Sequence, residues 1–266
     1  MIRYLLPTAL ILSTTACAAA DQPSEKIVAS EAADAAGEFG GVTFRRIAPG
    51  VWLHSAYHTT GSFGSVVSNG LVVENGDSAI LIDTAWDDAQ TRSILQWARE
   101  RLRRPIAAAI TTHAHSDKMG GMKVLHEAGV KTFAPRLSNA DAPGRGLTPA
   151  STSLDFERDG WLTPASRKDA VPLGDLRVFY PGAGHTRDNI VVAIPGASII
   201  FGGCLIRPPE STDMGNVADG NLSHWDAAAE AVGKAFPDAR IVIPSHGPPA
   251  GRELLTLTAD LARKAR

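Results

Sequence analysis

Apolar positions fall into short β-branched runs in the first half of the chain: VTFRRI, VWLHSAY, SVVSNGLVVENGDSAILID and PIAAAI. These read as strands, with ENGD marking a tight hairpin turn in the third. Between them, WDDAQTRSILQWARERL places apolar residues at helical spacing and carboxylates in its first turn, which predicts an amphipathic helix. GMKVLHEAG predicts a short helix that Gly129 stops. The second half repeats the style. DLRVFY, NIVVAI, ASIIFGG and RIVIP read as strands, and LSHWDAAAEAVGKAF and GRELLTLTADLARKA as helices, with Ser223 the expected N-cap of the first. Two strand-rich halves, each with helices, predict an α/β fold of two mixed sheets packed face to face with helices outside. The pattern does not order the strands.

The chain has 266 residues, 44% of them apolar, and a net charge of −2, which suits one large domain. No basic stripe is present, so nucleic acid is not an expected partner, and nothing calls for an obligate protein partner. The first residues change the picture. MIRYLLPTALILSTTAC carries one basic residue, Arg3, then an apolar core and then small residues. It is too short to span a bilayer and predicts a secretory signal over residues 1–20. Two processing routes fit. One is cleavage within Ala16–Ala20. The other is lipidation of Cys17, since TTAC resembles a bacterial lipobox with Thr14 in place of the usual leucine. Both imply a periplasmic protein, and the second would anchor it to the outer membrane. Residues 21–41 are polar, small and acidic and predict a flexible tether. The folded domain is expected from Val42 to residue 266. With Cys17 removed or lipidated, Cys204 is a lone thiol in an oxidising compartment, either a buried small hydrophobe or a ligand.

Candidate chemistry collects where strands end. TTHAHSDKMGG follows PIAAAI and supplies His113, His115 and Asp117. PGAGHTRDN places His185 after one strand, FGGCLIR places Cys204 after another, and IPSHGPP places His246 after a third. Loops carried on a rigid sheet are where sites are built. Each signal is modest alone. Together, four imidazoles, a carboxylate and a thiolate suit zinc. Six ligands exceed one tetrahedral ion and fit two sites with open positions.

The ordered strings HAHSDK, GHTRDN, GGCLI and SHG resemble the metallo-β-lactamase fold. More narrowly, they are similar to the class B β-lactamases whose second zinc is held by Asp, Cys and His. The resemblance runs from about Val42 to the C-terminus. The wider fold family usually has a second His after the motif aspartate and a bridging Asp. Lys118 and Cys204 stand at those places, as in that subclass. The resemblance implies an αβ/βα sandwich and two zinc ions, one on His113, His115 and His185, the other on Asp117, Cys204 and His246. It places Lys118 beneath the site as electrostatic support, Asp83 as a brace of the metal loop, and Trp86 in the cleft wall. By residue type alone, Trp86 also reads as a core aromatic.

The implied activity is hydrolysis of the β-lactam amide of penicillins, cephalosporins and carbapenems, by attack of a zinc-bound hydroxide, and hence antibiotic resistance. No acyl-enzyme is expected, because neither GSFGS nor NLSHW forms a serine-nucleophile constellation. Asn216 is expected to help stabilise the oxyanion. Arg207, three residues after the cysteine, is expected to hold the substrate carboxylate, where a similar member of that subclass has lysine. The hairpin Tyr57 to Val66, with His58 and Phe63, would form the other wall. Thr60-Gly61 replaces Met-Pro there, which implies a more polar and more flexible tip. His54, His126 and His224 carry ordinary readings, as a strand residue, a solvated helix residue and a neighbour of an N-cap. Two other functions fit parts of the pattern. Cys204 and Lys118 argue against a lactonase or thioesterase of the same fold. Arg207 and open coordination positions argue against a non-catalytic periplasmic zinc-binding protein.

Overall fold

The computed structural model describes residues 1–2, 35–61 and 63–266. Residues 3–34, which include Cys17 and most of the expected signal segment, and Ser62 lie outside the described residues. The tether boundary moves: Gly37–Phe39, expected in the tether, forms strand β1 and pairs antiparallel with β2 (Val42–Ala48). Ala35 is also buried, under the Trp97 indole, whose Nε1 donates to its carbonyl at 2.7 Å. The fold therefore begins about seven residues before Val42.

Among the described residues, the first sheet has eight strands in sequence order, β1 to β8. After β2 come β3 (Val51–Thr60), β4 (Gly64–Asn75) and β5 (Ser78–Ile82), all antiparallel neighbours. Then β6 (Ile106–Ile110), β7 (Lys131–Pro135) and β8 (Thr152–Leu154) add in parallel. Parallel neighbours need a crossover, and helices Asp88–Glu100 and Met122–Glu127 supply two of them. The second sheet has the order β12-β11-β10-β9, from β9 (Arg177–Phe179), β10 (Val191–Ile194), β11 (Ile199–Gly203) and β12 (Ile241–Pro244).

The sheets face each other across a core in which alternate residues point inward. Ile80, Ile82 and Ile110 of the first sheet meet Val192, Phe201 and Ile243 of the second. The intervening residues point outward and are equally dry. Leu81 and Ala109 lie under Trp97 and Leu125 of the two crossover helices. Val191, Ile200 and Val242 lie under Trp225 and Leu261 of helices Leu222–Ala235 and Glu253–Lys264. Burial on both faces explains why these strands read as continuous apolar runs. The result is the expected sandwich of two mixed sheets with helices outside. One cap differs. Helix Leu222–Ala235 starts after Asn221, so Ser223 lies inside its first turn and bonds the Asn221 side chain at 2.7 Å.

Candidate active site

Strand direction brings the six donors together. β5 and β6 are parallel, and their carboxyl ends carry Asp83 and the loop His113–Asp117. β9 and β11 are both antiparallel to β10, and β12 is parallel to β11, so these three strands also point one way. Their carboxyl ends carry His185, Cys204 and His246. Both sheets thus deliver their loops to one edge of the sandwich.

Three imidazoles converge there. His115 Nδ1 stands 3.1 Å from His113 Nε2 and 3.2 Å from His185 Nε2. The rings are edge-on to one another, with centroids 4.6 to 5.0 Å apart. Nitrogens held about 2.0–2.1 Å from one tetrahedral zinc stand about 3.3 Å apart, so the spacing fits a shared ion. The tautomers agree. Thr112 Oγ1 donates to Asp83 Oδ2 at 2.9 Å and so accepts from His113 Nδ1 at 3.2 Å, which leaves Nε2 with its lone pair. Burial, then neighbouring imidazoles, holds His113 well below the usual histidine range, and burial first of all lowers His185 to about 3. Both are neutral, as ligands must be.

The second group shares the same floor. Cys204 Sγ lies 3.2 Å from His246 Nε2 and 3.6 Å from Asp117 Oδ2, and the latter two atoms are 3.7 Å apart. His113, Asp117 and Cys204 also have donor atoms mutually within 4.8 Å, so the groups abut. His246 Nδ1 donates to the Val67 carbonyl at 2.7 Å, which turns Nε2 toward Cys204. Cys204 follows a break in the β11–β12 register at Gly203, whose φ of +59° turns the chain into the site. Asn69 of β4 clamps the His246 loop, donating to Pro244 O at 3.0 Å and Gly247 O at 2.7 Å.

Beneath both groups lies a buried charge cluster. Lys118 is fully buried; its Nζ donates to Ser68 Oγ (2.7 Å) and Asn69 O (3.1 Å) and stands 3.2 Å from Asp117 Oδ2 and 3.7 Å from Asp83 Oδ2. Burial alone would raise the Asp117 carboxyl, but Lys118 and then His246 outweigh it and hold it well below the usual carboxylate range. Burial dominates at Asp83 and raises it to about 7, against the pull of Lys118. Asp83 sits at φ +61°, a strained conformation for a non-glycine residue. The bend aims its carboxylate at the Thr112 backbone N–H, 2.6 Å away, and so braces the metal loop. Burial, followed by the Asp117 charge, pushes the Cys204 thiol well up. It keeps its proton unless a cation sits beside it.

A cavity of about 620 Å³ opens over the two groups. Trp86, Phe63, Arg207 and Asn216 line it, as expected from the sequence. His58 does not; its ring stacks behind Trp86 with centroids 5.2 Å apart, so it supports the wall from outside. Arg207 is anchored by Nε donating to Asp213 O at 3.1 Å, and its guanidinium lies against Gly215, where a Cβ would come within 2.7 Å. Asn216 lines the cavity, and its Oδ1 accepts from Ala218 N at 3.1 Å; among the described residues its amide N–H groups have no hydrogen-bond partner. At the flap tip, Thr60 Oγ1 accepts from Phe63 N at 3.1 Å, a tie that methionine could not make.

The pattern of this site decides the family. The metallo-beta-lactamase superfamily model matches residues 64–246. The chain belongs to the metallo-β-lactamase superfamily. A metallo-beta-lactamase type 2 from Bacillus cereus is 34% identical, over 85% of this chain and 84% of that protein. Among solved structures, the metallo-β-lactamase FIM-1 from Pseudomonas aeruginosa in its mono-zinc form is 52% identical, with a TM-score of 0.79 over 84% of this chain and 96% of its own. A metallo-β-lactamase from Erythrobacter litoralis is 46% identical, with a TM-score of 0.81 over 85% of this chain and 98% of its own. Zinc is thus the metal that both donor groups fit.

Sequence reading missed several supports of this metallo-β-lactamase site. Asp188 accepts from Ala114 N at 2.8 Å and from Ser138 Oγ at 2.7 Å, and Asn189 Oδ1 accepts from Gly184 N and Thr186 N. Their place beside His185 in HTRDN was a usable signal. Asp219, 2.9 Å from His115 Nε2, offered none, since 104 residues separate the pair.

Proposed function

We propose that the enzyme hydrolyses the amide bond of β-lactams with two zinc ions per chain. The observation that carries this reading is the placement of both donor groups and Arg207 around one cavity of drug-like size. When bound, zinc supplies hydroxide at neutral pH and polarises a carbonyl oxygen. The chain does the rest. Lys118 and Ser68 hold Asp117 ionised and oriented. Arg207 offers a cation to the carboxylate that common β-lactams carry beside the ring nitrogen. The free Asn216 amide is available to the lactam oxygen as its charge develops. Trp86 and Phe63 offer apolar walls and exclude water. Penicillins, cephalosporins and carbapenems share the groups these residues address, and export to the periplasm, supported by the apolar start of the chain, would place the enzyme on their route.

Hydrolysis of a chromogenic cephalosporin, lost with a chelator and restored by zinc, tests the reading. A zinc-loaded protein that leaves the cephalosporin intact would return the choice to another hydrolase of the fold or to zinc storage. Elemental analysis at saturating zinc should approach two ions per chain; a ratio that stays at one would remove the second site.

Arg207→Ala should raise KM for penicillins about ten- to hundredfold with little change in kcat, since a charged hydrogen bond contributes about 1.5–3 kcal/mol in ground and transition states alike. Steady-state kinetics check it, and an unchanged KM would place the carboxylate anchor elsewhere.

A further inference from the structure

His113 and His185 turn Nε2 toward the shared centre, whereas His115 turns Nδ1. An imidazole can present either nitrogen, so something must select the His115 orientation. On its outer side, Nε2 stands 2.9 Å from Asp219 Oδ2, and Arg145 Nη1 donates to the same oxygen at 2.9 Å. The three residues come from the loop after β6, the turn Pro143–Arg145 and the loop before helix Leu222–Ala235. Arg145 and Asp219 both line the cavity. An ordinary aspartate is ionised at neutral pH, so Asp219 is an acceptor for both donors.

We propose that Arg145 and Asp219 form a positioning pair that fixes His115 with its proton on Nε2 and its lone pair on Nδ1, and thereby sets the metal affinity of the three-histidine group. Asp219 bonds the ring directly. Arg145 acts through Asp219, tying an otherwise exposed loop residue across the cavity wall. A carboxylate behind a ligating imidazole fixes its tautomer and raises its basicity. The inference rests on the reading that the three histidines hold a metal.

The test uses the purified protein and the variants Asp219→Ala, Asp219→Asn and Arg145→Met. Cobalt(II) titrated against a chelator reports metal affinity, and thiolate-to-cobalt absorption reports the Cys204 group separately. Ring proton–nitrogen NMR of the zinc-loaded protein reports the His115 tautomer. Asp219→Ala is expected to weaken the three-histidine group about 10- to 100-fold and to abolish a protected Nε2–H signal, with the thiolate band retained. Asp219→Asn keeps an acceptor oxygen and should recover most of the affinity. Arg145→Met should fall near the lower end of that range, about tenfold. Unchanged affinity and tautomer in Asp219→Ala would overturn the proposal. So would an equal loss at both groups with a lowered melting temperature, which marks a merely structural role. Wild-type protein that binds cobalt only at the thiolate group would overturn the parent reading as well, and so is distinguishable from failure of the pair alone.

Discussion

Cys204→Ser is expected to lose about a hundredfold or more in kcat/KM while keeping its fold and one metal ion. Serine matches the shape of the buried cysteine, so packing around residue 204 is preserved. Its hydroxyl is a far weaker zinc ligand than a thiolate. Even partners that only support a ligand are worth about 10- to 100-fold in affinity or activity, so loss of a direct ligand belongs at or beyond the upper end. Asp117 and His246 remain, 3.7 Å apart, but two donors hold zinc poorly. His113, His115 and His185 are untouched. Metal content should fall toward one ion per chain, with an unchanged circular dichroism spectrum. Full activity at full metal content would show that the thiol is only a buried hydrophobe, the alternative that its sequence context leaves open.

Lys118→Met should destabilise the metal-free protein by about 3–5 kcal/mol, the usual cost of breaking a buried ion pair by removing one partner. The methionine fills most of the volume. What it cannot supply is a charge for Asp117 and Asp83, whose carboxylate oxygens lie 3.2 and 3.7 Å from Nζ, or donors for Ser68 and Asn69 O. Zinc should restore part of the loss, because a cation at the second donor group again faces Asp117. Urea unfolding with and without zinc checks both statements: the midpoint should drop at constant slope, and zinc should narrow the gap between wild type and variant. A midpoint within experimental scatter of wild type in the metal-free state would mean that the buried charges neutralise by protonation instead.

The donors were legible because each sits at the end of an apolar run, and zinc accepts only a few side-chain types. HAHSDK and FGGCLIR need no tertiary information to stand out. The segment from Lys131 to Asp169 was opaque: β7 and β8 are short, and helices Arg136–Asp141 and Pro164–Asp169 span six residues each, too few to show a period. The start of the domain was misplaced for a related reason. Gly37–Phe39 has no strand pattern, and its order comes from pairing with β2.

By itself, then, the sequence determined the α/β class and the six donors, which follow from local composition and order that a linear chain carries. Trp86, Phe63, Arg207 and Asn216 at the cavity were legible only through the family resemblance that the motifs carry. The tertiary structure decided what depends on direction and distance. It set the parallel orientation of β9, β11 and β12 that gathers the loops, and the Nδ1 orientation of His115. It moved His58 behind Trp86 rather than into the cavity. It also set the buried contacts of Lys118 with residues as far back as Ser68, and the Arg145–Asp219 pair. Hydrogen bonds and charge pairs act over a few ångströms, and residues 50 or 104 positions apart come within that range only when the sheets have closed on one core.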